Sequence, residues 1–483
     1  MSCMQKSRCP SLLVLMFTCG SAAAGQQDVR LVNAMKSRDL DAVRALAKSE
    51  IDVNVAQHDG ATALHWAAYW DEITAAELLI GAGAHVDAAN DYGVTPLSLA
   101  STNGSAQMIE LLLTAGASPN GVLPSGETVL MTAAYSGSVE GVKSLIARGA
   151  DVNARENVMG QTALMWALSQ EHMNIVPMLI DAGADVRAKS KSGFSPLLFA
   201  ARQGNTNAVR LLLSKGTDVN EAAKDGASVL HVAVLRGHVE LATYLLDQGA
   251  NPNADGPGYT PLHWAAGIWE TVHSHDYTLN PNAVNTVTEW SALAGVPTQE
   301  AKHDLIKALL AQGAYINARI VTSPPRFGFS LFNRNYVVGA TPFFLASMVA
   351  DVPTMRLLLA NGADPTLAAK DNAPPLLAAA GLARLDAESR VSEASRVEAL
   401  QMAIELGADI QAANDLGNTA LHAATMAGLN DVVQFLVDKG ANVNAKNKRG
   451  ETPLKLANGY ELNLMVYTRP STAALLRKLG ASE

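Results

Sequence analysis

A chain of 483 residues with 48% apolar and 17% charged side chains is too hydrophobic and too evenly mixed to be disordered, and with only 5% aromatics its core must be built mainly from Leu and Ala. The net charge of −9 argues against nucleic acid or an anionic membrane as the partner. Beyond residue 25 no uninterrupted apolar run reaches membrane-spanning length, so no membrane span is expected.

Residues 1–24 read as a secretory signal peptide. Lys6 and Arg8 precede the apolar run from Leu12 to Phe17, and Ala22-x-Ala24 suits cleavage just before Gly25. The run is well short of the roughly 20 residues a membrane span needs. Cys19 raises a lipid anchor as a rival, but Phe17 and Thr18 are poor residues to precede a lipidated cysteine. Cys3, Cys9 and Cys19 all lie in this segment, so a processed chain would hold no disulfide, thiolate metal site or cysteine nucleophile. Losing Lys6 and Arg8 with the leader takes the charge from −9 to −11. The expectation is an exported chain, periplasmic in a Gram-negative bacterium or secreted beyond it.

Residues 25–57 carry Val29, Leu31, Val32 and Met35, then Val43 and Leu46, then Asp52-Val53-Asn54, which reads as a degenerate N-terminal capping repeat. From residue 58 a unit recurs: Gly93-Val-Thr-Pro-Leu-Ser-Leu-Ala, Gly193-Phe-Ser-Pro-Leu-Leu-Phe-Ala, Gly258-Tyr-Thr-Pro-Leu-His-Trp-Ala, Gly339-Ala-Thr-Pro-Phe-Phe-Leu-Ala and Gly450-Glu-Thr-Pro-Leu-Lys-Leu-Ala. Looser copies start at Gly60, Gly126, Gly160, Gly226 and Gly417, and from Gly60 to Gly258 the spacings are 33, 33, 34, 33, 33 and 32. Glycine supplies positive φ in a tight turn, Thr or Ser caps a helix, and Pro fits its first position, where an amide hydrogen would be unbonded anyway. Leu and Ala three residues apart, as at Leu97 and Ala100, form a buried stripe that lets neighbouring helices approach closely. A second helix follows, as at Ile109 to Leu113, and stops at Gly83, Gly116, Gly149, Gly183, Gly216, Gly249, Gly313, Gly362, Gly407 or Gly440, each expected to be a left-handed C-cap.

Residues 58–257 then hold repeats 1–6, 258–338 repeat 7, and 339–483 repeats 8–11 with a C-terminal cap. Repeat 7 is stretched, with 81 residues from Gly258 to Gly339. One insertion, about 268–300, falls between its two helices, and a second, about 320–336, falls in the following turn. Repeat 9 has an excess between Asn372 and Gly417, and Leu382 to Leu406 is rich enough in Ala, Glu, Arg and Leu to read as one lengthened helix. A smaller extension, 459–470, precedes the last helix.

The 33-residue period, the Thr-Pro-Leu-His-x-Ala copies and Gly149-Ala-Asp-Val-Asn-Ala154 resemble the ankyrin-repeat family, and the resemblance covers nearly everything from Asp59 onward. It implies an all-α solenoid of about eleven repeats with short β-hairpin fingers and insertions in repeats 7 and 9. It also implies a protein partner laid in a concave groove of fingers and first helices, no enzymatic activity and no cofactor. The histidines at the Thr-Pro-Leu-His position, His65, His231, His263 and His422, are implied to make a structural bond between repeat turns.

The irregular seventh repeat is the leading candidate site, because aromatic and Arg side chains anchor interfaces. Its candidates are Trp264, Trp269, Tyr277, Trp290, Arg326, Phe327, Phe329, Phe332, Arg334 and Tyr336, and the bland alternative is that the insertions only pack on each other. Glu270, His273, His275 and Asp276 supply ligands suited to a divalent metal, but His273 and His275 would face opposite ways on one helix and no fourth ligand is fixed by spacing. Trp66, Trp166 and Trp264 share one variable first-helix position, where stacking on a ligand competes with ordinary packing, the preferred reading. Two rivals to the scaffold reading are a metal-dependent or enzymatic module built on the insertions and a secreted factor acting on another cell. No serine elbow, phosphate loop or paired-carboxylate motif is present in the sequence.

Overall fold

Most first helices begin at a Thr or Ser N-cap, the exceptions being Arg30–Lys36 after Val29 and Pro375–Ala379 after Pro374. Thr95 Oγ1 accepts from Ser98 N (3.2 Å), Thr128 Oγ1 from Met131 N (3.2 Å) and Thr341 Oγ1 from Phe344 N (3.2 Å). The computed structural model describes residues 28–267, 298–322, 337–382, 391–462 and 465–482. The chain divides into two units, Met1–Thr217 and Asp218–Glu483.

In the first unit the capping pair Arg30–Lys36 and Leu40–Ala47 is followed by five helix pairs. They are Ala63–Trp70 with Ile73–Gly81, Pro96–Asn103 with Ala106–Thr114, Val129–Ser136 with Val139–Ala147, Ala163–Ser169 with Val176–Asp181, and Pro196–Gln203 with Thr206–Ser214. In the second unit six pairs are described: Val229–Leu235 with Val239–Asp247, Pro261–Ala266 with Gln299–Ala311, Pro342–Met348 with Val352–Ala360, Pro375–Ala379 with Glu393–Glu405, Ala420–Ala427 with Asn430–Asp438, and Pro453–Asn458 with Pro470–Lys478. Within each unit first helices pack on first helices, and second helices form the other layer. The stripe is the core: Leu64, Leu97, Leu130, Leu164 and Leu197 are buried with Ala67, Ala100, Ala133, Ala167 and Ala200. Each such Leu contributes about 2 kcal/mol by leaving water.

The ten glycines that end second helices all lie at φ between 82° and 97°, the left-handed caps expected of them. Most of their carbonyls are met by the preceding repeat. Asn54 Nδ2 donates to Gly83 O (3.1 Å) while its Oδ1 accepts from His85 N (2.7 Å). Asn120 does the same to Gly149 and Asp151, and Asn153 to Gly183 and Asp185. In the second unit Asn220 reaches Gly249 and Asn251, and Gln411 reaches Gly440 and Asn442. Asn253 makes the same two bonds across the insertion, to Gly313 O (2.8 Å) and Tyr315 N (2.6 Å), 60 and 62 residues on.

The fingers are minimal hairpins, with isolated bridges at Ala56–Thr62, Val122–Thr128, Ala222–Ser228 and Ala413–Thr419. Neighbouring fingers are tied by single backbone bonds such as Asp91 N to Asp59 O (2.9 Å) and Asp415 N to Asp371 O (2.7 Å). One expectation needs correction. The helix expected over Leu382 to Leu406 begins at Glu393 and runs to Glu405, because Ser392 caps it through Ser395 N (3.1 Å), and 383–390 lie outside the described residues. The extension at 459–470 holds an antiparallel hairpin, β1 (Tyr460–Leu462) and β2 (Met465–Tyr467), with Tyr460 stacked on Tyr467 at 5.6 Å.

The four repeat histidines hold the turns as the resemblance implies. His231 Nδ1 accepts from Ser228 N (3.3 Å), which leaves Nε2–H to donate to Tyr259 O (2.9 Å). His263 is placed alike, with Thr260 N at 3.1 Å and Ala340 O, the counterpart of Tyr259 O, at 3.2 Å, and it also meets Ala318 O at 2.9 Å. Burial lowers both rings to about 4, because a second proton would be desolvated and would face the amide that Nδ1 now accepts. Above pH 6.5 both rings are neutral folded and unfolded, and their bonds stabilise the fold in full. As pH falls from 6.5 towards 4 only the unfolded chain takes up these protons, so stability is lost, on the order of 3 kcal/mol for each histidine. Melting temperatures between pH 7 and pH 4 should therefore fall more steeply for the native protein than for a His231→Gln/His263→Gln variant. Equal slopes would contradict the assignment.

At the left-handed turn between first and second helices most repeats carry Gly, but repeat 8 carries Ala350 at φ 50°. A Cβ in this region costs about 1–2 kcal/mol, of which a glycine's looser unfolded chain returns only part. Ala350→Gly should raise the urea midpoint by an amount worth about 1 kcal/mol. A lowered midpoint would show that the turn is not strained.

Candidate partner-binding face

The first six residues of each first helix in the first unit are largely buried, whereas the last two reach solvent. They are Tyr69 and Trp70, Thr102 and Asn103, Tyr135 and Ser136, Ser169 and Gln170, Arg202 and Gln203. A helix leaves its last carbonyls unpaired, and here the next repeat supplies the donors. Asn103 Nδ2 donates to Ala68 O (3.1 Å) and Tyr69 O (2.9 Å), Ser136 Oγ to Ser101 O (2.8 Å), His172 Nε2 to Tyr135 O (3.0 Å) and Gln203 Nε2 to Ser169 O (2.5 Å). The row is therefore cross-linked from one repeat to the next, and its exposed side chains are held on a fixed frame.

Aromatic rings concentrate at its start. Trp66 stacks on Trp70 at 6.4 Å, and Tyr69 meets them edge-on at 5.7 and 4.7 Å. Lys36 Nζ sits 5.1 Å over Trp66, and the Arg38 guanidinium 5.7 Å over Trp70 while bonding Glu72 Oε1 (3.0 Å). Trp66 is 6% exposed and Trp70 38%. Trp66 is packed, and the ring that reaches solvent is Trp70, one turn further on. Farther along, half-buried Trp166 meets Tyr135 edge-on at 5.6 Å. Neither Trp66 Nε1 nor Trp166 Nε1 has a hydrogen-bond partner.

Of the candidates in repeat 7 only Trp264 is described. It is 3% exposed and tilted against Tyr259 at 5.8 Å, a packing position. Trp269, Tyr277, Trp290, Arg326, Phe327, Phe329, Phe332, Arg334 and Tyr336 lie outside the described residues, as do the metal candidates Glu270, His273, His275 and Asp276. Among the described residues no group of three or more His, Cys, Asp or Glu is placed to hold a metal ion. Both insertions leave from ordered stems. Thr298 caps the helix Gln299–Ala311 through Ala301 N (3.2 Å), and Ile320 exchanges backbone bonds with Gly339 (2.7 Å) and Ala340 (3.0 Å).

The foot of the first insertion carries a buried polar network that no sequence motif announces. The helix Gln299–Ala311 is one turn longer than the usual nine residues, so Lys302 stands 11 residues before the terminal glycine, where Ser105, Ser138 and Asn205 stand in regular repeats. Its ammonium bonds Asp351 Oδ2 (2.6 Å), and Asp351, at the same position in repeat 8, also accepts from Thr354 Oγ1 (2.8 Å) and Gln299 Nε2 (2.9 Å). Burial pushes the Asp351 carboxyl up, but the Lys302 charge and the bonds from Lys302 and Thr354 outweigh it and hold the group below its usual value. Arg396, at the equivalent position of the other 13-residue helix, is 3% exposed and donates to Ala379 O (3.0 Å) and Met348 O (3.3 Å). Breaking a buried ion pair leaves a bare charge, at a cost of about 3–5 kcal/mol. Lys302→Ala should destabilise the protein by about that amount, and Lys302→Met/Asp351→Asn should recover most of it in thermal unfolding. Equal losses for the two variants would refute the pairing.

No helix among the described residues is long and apolar enough to cross a membrane. A family model for ankyrin repeats in three copies matches residues 9–90, 31–122, 83–156, 130–223, 197–274 and 390–466. Residues 275–389, with most of the repeat 7 insertions, fall between the matched segments. Among solved structures the chain is similar to the ankyrin repeat domain of Bcl-3, described as a unique member of the IkappaB protein family. Identity is 33%, over 42% of this chain and 94% of that one, with a TM-score of 0.38. No curated protein matches the chain.

Proposed function

This chain belongs to the ankyrin-repeat family, whose repeats generally mediate protein–protein contacts and are typically non-catalytic, and from that premise we propose that it is an exported scaffold that binds a protein partner on the face of its first helices and fingers. The observation that carries this reading is the row from Tyr69 to Gln203. Its backbone ends are cross-linked between repeats, while Tyr69, Trp70, Tyr135 and Trp166 remain at least partly open to solvent. Rings held in place lose little entropy on binding and suit the centre of an interface. Burying roughly 800 Å² on each side suffices for a stable complex.

The insertions of repeat 7 set specificity in this reading, because they interrupt an otherwise regular series with aromatic and Arg side chains, one between the two helices of the repeat and one in the turn that follows. Export follows from the charged, apolar and small-residue series of residues 1–24, and the periplasm is the compartment proposed, with secretion as the alternative.

Two variants test the scaffold. Trp70→Ala/Tyr135→Ala and a deletion of residues 323–335 should each keep the native melting temperature within a few degrees and lower partner recovery in a quantitative pull-down from a periplasmic extract at least tenfold. Full recovery with the first variant would remove the first-helix face from the account, and full recovery with the second would remove the insertion. The mature protein should begin near Gly25 and fractionate with the periplasm or the medium, whereas an unprocessed cytoplasmic chain would overturn the export reading.

A further inference from the structure

One finger departs from all its neighbours in the first unit. The spacing from Gly126 to Gly160 is 34, and the extra residue lies in the turn of repeat 4, Glu156 to Gly160. In regular fingers a short side chain grips a tight turn: Asn90 Oδ1 accepts from Tyr92 N (3.0 Å) and Val94 N (2.9 Å), and Gly93 N bonds Asn90 O. In repeat 4 Gly160 N bonds back one residue further, to Glu156 O (3.1 Å), and the longer Glu156 side chain spans the wider turn. Its carboxylate accepts from Val158 N (2.6 Å), Met159 N (2.8 Å) and Gln161 N (2.7 Å), with the residue only 5% exposed.

A buried carboxylate costs desolvation energy, which these amides offset, and the visible product is an outward apolar tip. Val158 is 65% exposed. Cations surround it. Arg155 donates to Gly160 O (3.3 Å) and Lys189 O (2.5 Å), Lys191 bonds Asn157 O, and Lys191 N donates to Met159 O (2.7 Å), so fingers 4 and 5 are stapled together. Arg155, Lys189 and Lys191 are exposed and line one open depression with Glu156 and Ser190. Of the nearby carboxylates, Glu156 is consumed by backbone amides, and Glu127 is half-buried and pushed up by burial and by Glu156. On a chain of net charge −9, Arg155, Lys189 and Lys191 bring three exposed cations to one patch.

We propose that the finger of repeat 4 and its flanking cations form a docking point for an acidic segment of the protein partner, one that also carries an apolar residue to cover Val158. This rests on the scaffold reading and names the chemistry of the partner. Acidic groups would meet Arg155 and Lys191, whose side chains are held by backbone carbonyls, with exposed Lys189 beside them, and the apolar tip gives selectivity that charge alone lacks.

The test uses full-length protein in its native compartment with a photoreactive benzoylphenylalanine at position 158, at position 102 on the first-helix row, or at position 140 on a second helix. Crosslinked peptides are sequenced by mass spectrometry. Expected is capture at 158 and 102 but not 140, with a peptide at 158 rich in Asp and Glu. Lys189→Glu/Lys191→Glu should lower capture at 158 at least tenfold. Val158→Asp, a change at an exposed tip that leaves the fold intact, should weaken capture by the probe at 102 about as much. Capture at 102 without capture at 158 overturns this proposal and leaves the scaffold reading standing. Capture at neither position overturns both. A neutral or basic peptide at 158, a nucleic acid there, or indifference to both substitutions also overturns it.

Discussion

Nearly every second helix ends in a left-handed glycine whose carbonyl finds no donor in its own helix, and in most of these steps a side-chain amide of the preceding repeat supplies one. Asn54, Asn120 and Asn153 in the first unit, and Asn220, Asn253 and Gln411 in the second, donate to that carbonyl and accept from an amide two residues on. Each bond is worth about 1 kcal/mol, and each orphaned partner would cost more. A side-chain amide donates and accepts at once, which fixes the register of one repeat on the next. In the last step of the first unit Arg187 takes over the donor half, reaching Gly216 O at 2.6 Å.

That register explains why repeat 7 can absorb two insertions without loss of the stack. Asn253 and His263 bond the same partners by position as in regular repeats, although those partners, Gly313 and Ala340, lie 60 and 77 residues away. Closure entropy grows only slowly with loop length, so a long excursion costs little more than a short one once its ends are pinned. Where insertions enter between helices, in repeats 7 and 9, the second helix is one turn longer and a buried cation, Lys302 or Arg396, takes the place of a small capping residue. The longer side chains reach across to Asp351 or to two helix-end carbonyls and seal the stem of the excursion.

Much of the fold was legible because it rests on backbone geometry that few residues satisfy. Glycine at positive φ, Thr-Pro at a helix start and the Leu and Ala stripe recur at a fixed period, and the structural role of His65, His231, His263 and His422 followed from their place in it. What was not legible depends on contacts between positions far apart in sequence. Nothing local says that Lys302 meets Asp351, or that Tyr460 stacks on Tyr467 in a terminal hairpin. The exposed ring of Trp70 was not singled out, because Trp66 and Trp70 lie on adjacent turns and only neighbouring repeats decide which is covered. The spacing of 34 at Gly160 was the one visible trace of the finger that Glu156 holds open, and it takes the amide contacts of that carboxylate to give it meaning.

Common to the scaffold and the finger is the claim that one face, made of first helices and fingers, receives the partner while second helices face away from it. Hydroxyl-radical footprinting of the full-length protein, alone and in its native complex, measures this side chain by side chain. The account predicts protection of Trp70, Tyr135 and Val158, with Glu140, Lys143 and Leu406 unchanged. Protection confined to the second-helix residues, with Trp70 and Tyr135 still open, would contradict it.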